Sequence, residues 1–221
     1  MIYLAIALHA EGPTDHSFLE PVIRRSLLDC AHRHNPNSLI EVAPFVELRR
    51  GPRNSEAIVA AVKHALTGIH LLFLHTDGKG QPEQARAQRV EPVFTSLRLD
   101  IPVERLGCVG IVPVHETEAW SLTDPGCIRH VFGTRRSDAE LGLPANPHEV
   151  EHEPDPKVRL AEVCRVASRG RRARRRRESY RPYLAGLGEM IDLERLRRVP
   201  AYQRFEQDLE AALRGLIPNI G

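Results

Sequence analysis

Apolar residues fill positions 2–8 without alternating with polar ones, the pattern of a strand covered on both faces. A turn cluster follows, Glu11-Gly12-Pro13-Thr14-Asp15. Beyond it Phe18, Leu19, Val22, Ile23, Leu27 and Cys30 recur at three- and four-residue spacing, which predicts a helix with one apolar face. Thr14 or Asp15 is placed to cap it. Residues 39–48 predict a second strand, with Pro44 marking an edge or a bend. Asn54 or Ser55 opens a helix that turns Ile58, Val62, Ala65 and Leu66 inward. Residues 70–75 are a short third strand ending in Thr76-Asp77-Gly78-Lys79-Gly80. Val90, Val93, Phe94 and Leu97 share a helix face, kinked or restarted by Pro92. Residues 108–114 are the fourth strand, running into His115-Glu116-Thr117-Glu118-Ala119-Trp120.

Strands alternating with helices imply an α/β fold, an open, mostly parallel sheet flanked by helices. The pattern changes near Gly126. Pro144, Pro147, Pro154 and Pro156 punctuate an acidic stretch, and helical periodicity alone remains at 158–166, 193–196 and 202–216. The expected organisation is an α/β domain over 1–125 and a helical C-terminal extension over 126–221, packed on the sheet.

The chain has 221 residues, 42% hydrophobic and 27% charged, which excludes a wholly disordered or fibrous protein. No apolar run approaches the ~18 residues of a membrane span. The apolar start lacks a basic flank and a cleavage site, so no secretory signal is expected. Cys30, Cys108, Cys127 and Cys164 form no CxxC pair and read as reduced thiols in a cytoplasm. The net charge of +2 conceals an asymmetry. Seven arginines (Arg169, Arg171, Arg172, Arg174, Arg175, Arg176 and Arg177) lie in one stretch, and without them the chain carries −5. A nucleic-acid partner is expected there, through backbone phosphates and with steep salt dependence. A solvated loop is the plainer alternative. The run holds no aromatic residue, so base stacking is not indicated.

The strand ends carry the candidate chemistry. Glu11 follows the first strand, Asp77 the third, and Glu116 and Glu118 the fourth. In an open parallel sheet the carboxyl ends of the strands share one rim, where ligands bind. Any one of these acids read alone is more often a helix cap. As a group they repel, by about 4 kcal/mol for a pair ~4 Å apart at an effective dielectric of 20, unless solvated, protonated or bridged by a cation. Oxygen donors suit Mg²⁺ or Mn²⁺, and such an ion commonly serves phosphate chemistry.

A strand ending in Glu-Gly-x-Thr-Asp and a later one ending in Asp-Gly resemble the Toprim domain of primases, topoisomerases and overcoming-lysogenization-defect nucleases. That resemblance implies a Toprim-like sheet, with Glu11 and Asp77 as catalytic residues and Mg²⁺ ligands. Glu118 joins the catalytic set, and Glu116 and Glu118 join the ligands. The resemblance extends to an uncharacterised Toprim-like family, domain of unknown function four-two-seven-six, through Glu116-Thr117-Glu118-Ala119-Trp120, Asp155-Pro156-Lys157 and the stretch from Ile191 to Phe205. It implies a nuclease in prokaryotic anti-phage defence beside an ATPase subunit. This chain itself has no GxxxxGK[ST] loop. Lys79 stands where the family's second aspartate belongs. Either Glu116 or Glu118 supplies the missing ligand, or Lys79 contacts a phosphate as a point charge, or the site is degenerate and the chain is a binding module.

His148-Glu149-Val150-Glu151-His152 fits the zincin pattern but is bracketed by Pro147 and Pro154 with one apolar residue between them. It reads as an acidic loop, because HExxH needs a helix to bring its histidines to one face. His9, His75 and His115 are read as polar strand ends with a possible reach to the rim. Trp120 is read as core, and Tyr180 and Tyr183 as helix-packing residues.

Overall fold

The computed structural model describes residues 2–34, 36, 39–48, 54–168 and 179–216, so the arginine run from Arg169 to Arg177 lies outside the described residues. The chain opens with β1 (Ile2–Leu4) and β2 (Ile6–His9), then α1 (Pro13–His34), β3 (Ile40–Val42), β4 (Val46–Glu47), α2 (Ser55–Ala65) and β5 (Leu71–His75). Next come α3 (Pro82–Ala85), a π-helical turn (Arg86–Val90), α4 (Glu91–Asp100) and β6 (Gly107–Ile111). The remainder is helical: α5 (Glu118–Ser121), α6 (Pro125–Phe132), α7 (Asp138–Leu141), α8 (Pro156–Ala167), α9 (Leu184–Met190), α10 (Leu193–Leu196) and α11 (Pro200–Leu216).

Every strand pair is parallel. β1 pairs with β3, and the order β4-β2-β5-β6 forms the main sheet. The first predicted strand breaks at Ala5. There the His70 ring accepts the Ala5 N–H at 3.0 Å, and the His70 N–H donates to the Ala5 carbonyl at 2.7 Å. The second predicted strand breaks around Pro44, as its missing N–H led us to expect. β6 ends at Ile111 instead of 114, because Pro113 and Val114 turn their carbonyls to a neighbouring loop.

Both sheet faces are apolar, which explains the unalternating strands. Ile6, Leu8, Leu71, Phe73, Val109 and Ile111 join a large core with α1 and the C-terminal helices. Ala7, Leu72 and Leu74 join a smaller one with Ile58 and Val62 of α2 and Val93, Phe94 and Leu97 of α4. The large core runs from Leu4 to Leu213, so strands and C-terminal helices bury one another. Trp120 is fully buried there, edge-on to Tyr202 at 5.3 Å between ring centroids. Pro92 does open a new segment, α4, directly after the π-helical turn. Val158, by contrast, is 64% exposed although it opens the stretch of helical periodicity over 158–166.

The HExxH stretch is a short 3-10 helix, Pro147–His152, and Glu151 accepts a 2.8 Å hydrogen bond from the Ala201 N–H at the start of α11. No disulfide joins the four cysteines. Among the described residues no helix is long and apolar enough to cross a membrane.

Candidate functional site

Parallel pairing sets the carboxyl ends of β2, β5 and β6 on one rim. The loops leaving β5 and β6 are then stitched together. Gly78 N–H donates to Pro113 O at 3.1 Å, Lys79 N–H to His115 O at 3.3 Å and Gly80 N–H to Val114 O at 2.7 Å. The approach is so close that a Cβ on Gly78 would stand 2.3 Å from the Pro113 oxygen. Lys79 is held at φ 50°, a left-handed conformation that costs a non-glycine residue about 1–2 kcal/mol. This stitching carries Asp77 toward Glu116 and Glu118.

The cation between them comes from far along the chain. Asp155 caps α8 by accepting from the Val158 N–H at 3.0 Å, and Pro156 takes the first helical position. Lys157 therefore falls in the first turn, the unfavourable end of a helix for a positive charge. Carboxylates offset that. Lys157 Nζ donates to Glu116 Oε1 at 2.7 Å and lies 3.9 Å from Asp77 Oδ2. Burial disfavours its ammonium, but the bond to Glu116 and the charges of Glu118 and Asp77 outweigh that and raise its pKa. Glu118, 2% exposed, begins α5 and accepts a 2.9 Å hydrogen bond from the Tyr180 hydroxyl. Burial pushes its carboxyl up, with Lys157 opposing.

His75 is enclosed behind this cluster. Its Nε2 shares a 2.8 Å hydrogen bond with Thr117 Oγ1 and lies 3.4 Å from Asp77 Oδ1, while Nδ1 is 3.8 Å from Asp15 Oδ2. Burial disfavours the imidazolium, yet the carboxylates of Asp77 and Asp15 outweigh it and raise the pKa. For Asp77 burial is likewise outweighed, by His75 and Lys157, and its carboxyl is held below the usual range. Asp15 is pushed up by burial against the pull of His75. It does serve the start of α1, but by reaching back to accept the Gly12 N–H at 2.8 Å.

Asp77 Oδ1, Glu116 Oε2 and Glu118 Oε2 are buried and accept no hydrogen bond among the described residues. Left so, such atoms cost about 1–3 kcal/mol each. They form an oxygen-only donor set, which matches Mg²⁺ or Mn²⁺ in chemistry. Among the described residues, however, no three His, Cys, Asp or Glu side chains are grouped so that they could hold a metal ion as they stand. The ammonium of Lys157 already answers the charge of Glu116 at 2.7 Å and of Asp77 at 3.9 Å.

Glu11 meets the same loop through Thr76. Its Oε1 accepts from Thr76 Oγ1 at 2.6 Å and from Arg89 Nη1 at 2.7 Å. Arg89 is presented by the π-helical turn, a local form that recurs at functional sites. Arg86 of the same turn is anchored to Asp208 at 2.6 Å and to Glu91 at 2.9 Å. Glu11, Thr76, Lys79 and Arg89 border an open cleft of about 450 Å³.

Of the predicted residues, then, Asp77, Glu116 and Glu118 gather at Lys157, Glu11 adjoins them through Thr76, and Lys79 stands at the cleft. Arg89 and the second contact of Asp15 escaped sequence reasoning, which had Lys157 only as part of the Asp155-Pro156-Lys157 motif and Tyr180 only as a packing residue. One usable signal was Asp155-Pro156, a helix start that consigns Lys157 to a turn where a cation needs nearby acids.

No curated protein matches the chain, and no solved structure does. A family model does match, and its span of residues 10–210 takes in both strand-end loops, α8 and most of α11. The site described above thus lies within the matched region, and the chain belongs to the family described as Domain of unknown function (DUF4276).

Proposed function

We propose that this protein is a Mg²⁺- or Mn²⁺-dependent phosphodiester-cleaving enzyme of Toprim-like kind, acting on nucleic acid. The observation that carries this reading is the gathering of Asp77, Glu116 and Glu118 about one ammonium, with Oε2 of both glutamates buried and accepting no hydrogen bond among the described residues and Asp77 Oδ1 facing His75 Nε2 at 3.4 Å. Those three carboxylates would hold the ion, which would supply Lewis-acid stabilisation of a phosphoryl oxygen. The chain's own residues do the rest. Arg89 and Lys79 orient phosphate, Arg89 with a planar fork and Lys79 as a point charge. Glu11, held by Thr76 and Arg89, is the general acid or base beside them. Lys157 offsets the mutual repulsion of the acids before the ion arrives. The resemblance adds a setting in prokaryotic antiviral defence, with any ATP-driven step left to a partner subunit.

The test is plasmid nicking with Mg²⁺ or Mn²⁺, comparing wild type with Glu11→Ala and Asp77→Ala. We expect cation-dependent nicking that falls by at least ~100-fold in each variant while the fold survives. Nicking that persists in Asp77→Ala would remove the site from the chemistry.

The position of Lys157 favours one second reading, a module that binds nucleic acid without cutting it. A tethered ammonium then stands permanently in place of the ion. A protein that binds DNA but shows no heat with millimolar Mn²⁺ belongs to this class.

A further inference from the structure

The cleft beside Glu11 adjoins the carboxylate cluster through His75 and Thr76 and has its own character. Its volume of about 450 Å³ lies in the lower half of the range typical of small-molecule sites, about 300–1,000 Å³. Its inner wall is apolar, formed by the buried side chains of Ile58 and Leu74. Its polar wall holds Lys79, Arg89 and the Gln88 amide, and the one carboxylate among the lining residues, Glu11, is already bonded to Arg89 and Thr76. An apolar floor under two cations suits a ligand with an uncharged ring and an anionic end.

Two backbone features aim those cations. Arg89 comes from the π-helical turn whose neighbour Arg86 is pinned by Asp208 and Glu91. Lys79 stays in the left-handed region although glycines flank it on both sides, and its ammonium forms no ion pair among the described residues. Backbone strain of that kind persists where the surroundings enforce it, commonly at functional positions. Here the bonds from Lys79 N–H to His115 O and from Gly80 N–H to Val114 O enforce it.

We propose that this cleft binds a single nucleotide unit, its phosphate on Lys79 and Arg89 and its base against Ile58 and Leu74. The lining has no Phe, Tyr or Trp among the described residues, and its only rings are the imidazoles of His9 and His75, so the base is held chiefly by aliphatic contact. One unit is what the volume admits. The cleft thus gathers one nucleotide of a strand next to Glu11, and the substrate class of the site above becomes a strand whose terminal or extruded nucleotide can leave its stack. The choice of a nucleotide rests on that reading, but the binding itself needs no metal.

Calorimetry in EDTA with thymidine 5′-monophosphate, thymidine and inorganic phosphate tests this. We expect the monophosphate to bind at least ~10-fold more tightly than either of the other two probes, since it alone uses both walls. Lys79→Gly removes the ammonium and also relieves the left-handed strain, so it should weaken binding by at least ~5-fold with an unchanged or higher Tm. Arg89→Gln should weaken it as well. Phosphate binding as tightly as the nucleotide would reduce the cleft to an anion site and overturn the proposal. Equal affinity in Lys79→Gly, or no nucleotide binding at about 10 mM, would overturn it too. Because the assay excludes divalent ions, a protein that fails to nick DNA yet binds the nucleotide loses only the catalytic reading. One that nicks but ignores the nucleotide loses only this inference.

Discussion

Lys157 Nζ lies 2.7 Å from Glu116 Oε1 and 3.9 Å from Asp77 Oδ2, so one ammonium at the start of α8 joins carboxylates that follow two different strands. This relationship organises the rim. The loops carrying the acids are fastened backbone to backbone, and the charge they accumulate is answered from a helix 41 residues beyond Glu116.

Lys157→Met should expose that dependence. The side chain is 39% exposed, so screening limits the loss to about 1 kcal/mol in EDTA. Millimolar Mn²⁺ should then raise the Tm of the variant by more than that of wild type, since the ion no longer competes with an ammonium. Differential scanning calorimetry with and without Mn²⁺ reads both numbers. Equal Mn²⁺ shifts in the two proteins would separate Lys157 from the cation site.

His75 predicts a pH dependence of definite sign. Its pKa is raised by folding, so its contribution is complete below the unfolded value of about 6.5 and drains away as pH climbs through the folded value. Asp77, whose pKa is lowered, contributes in the opposite sense, present above about pH 4 and lost as pH falls through its folded value. Urea midpoints measured in EDTA should therefore decline above pH 6.5 in wild type. In His75→Gln that decline should flatten, from a lower starting stability. A variant with the wild-type slope would show that His75 is not the titrating group.

Gly78→Ala targets the stitching. A Cβ 2.3 Å from the Pro113 oxygen must push the β5 and β6 loops apart, at a cost of about 1–3 kcal/mol. The expected signature is a lower urea midpoint together with weakened Mn²⁺ binding, since Asp77 moves away from Glu116. Unaltered stability would mean the close approach is not maintained in solution.

Tyr180→Phe deletes the hydroxyl that Glu118 accepts from while leaving that carboxylate buried. We expect a loss of about 1–3 kcal/mol, smaller when Mn²⁺ is present to take up the freed oxygen. Chemical denaturation with and without Mn²⁺ checks this, and a loss of equal size in both conditions would place Glu118 outside the ion's reach.

Much of this architecture was readable from residue order, for identifiable reasons. The strands are apolar on both faces because helices cover both, so Leu71 to Leu74 announced a parallel sheet without any partner in view. Parallel pairing then made the acids at strand ends neighbours by topology alone. What stayed hidden depends on distant partners. The break at Ala5 is made by the ring of His70, 65 residues later. Tyr180 looked like packing until α9 and its flanking chain brought the hydroxyl to Glu118. Asp15 looked like a cap and serves the helix start by reaching back to Gly12, yet the same Oδ2 also lies 3.8 Å from His75 Nδ1, a neighbour brought up by the end of β5.

The claim beneath the account is that Asp77, Glu116 and Glu118 take up a divalent ion in exchange for the ammonium of Lys157. Calorimetric titration of Mn²⁺ into the metal-free protein addresses it most directly, with Asp77→Asn and Glu118→Gln alongside. The account predicts one site of millimolar affinity or better, weakened at least ~10-fold in each variant. No heat in wild type at about 10 mM Mn²⁺, or variants that bind as wild type does, would contradict it.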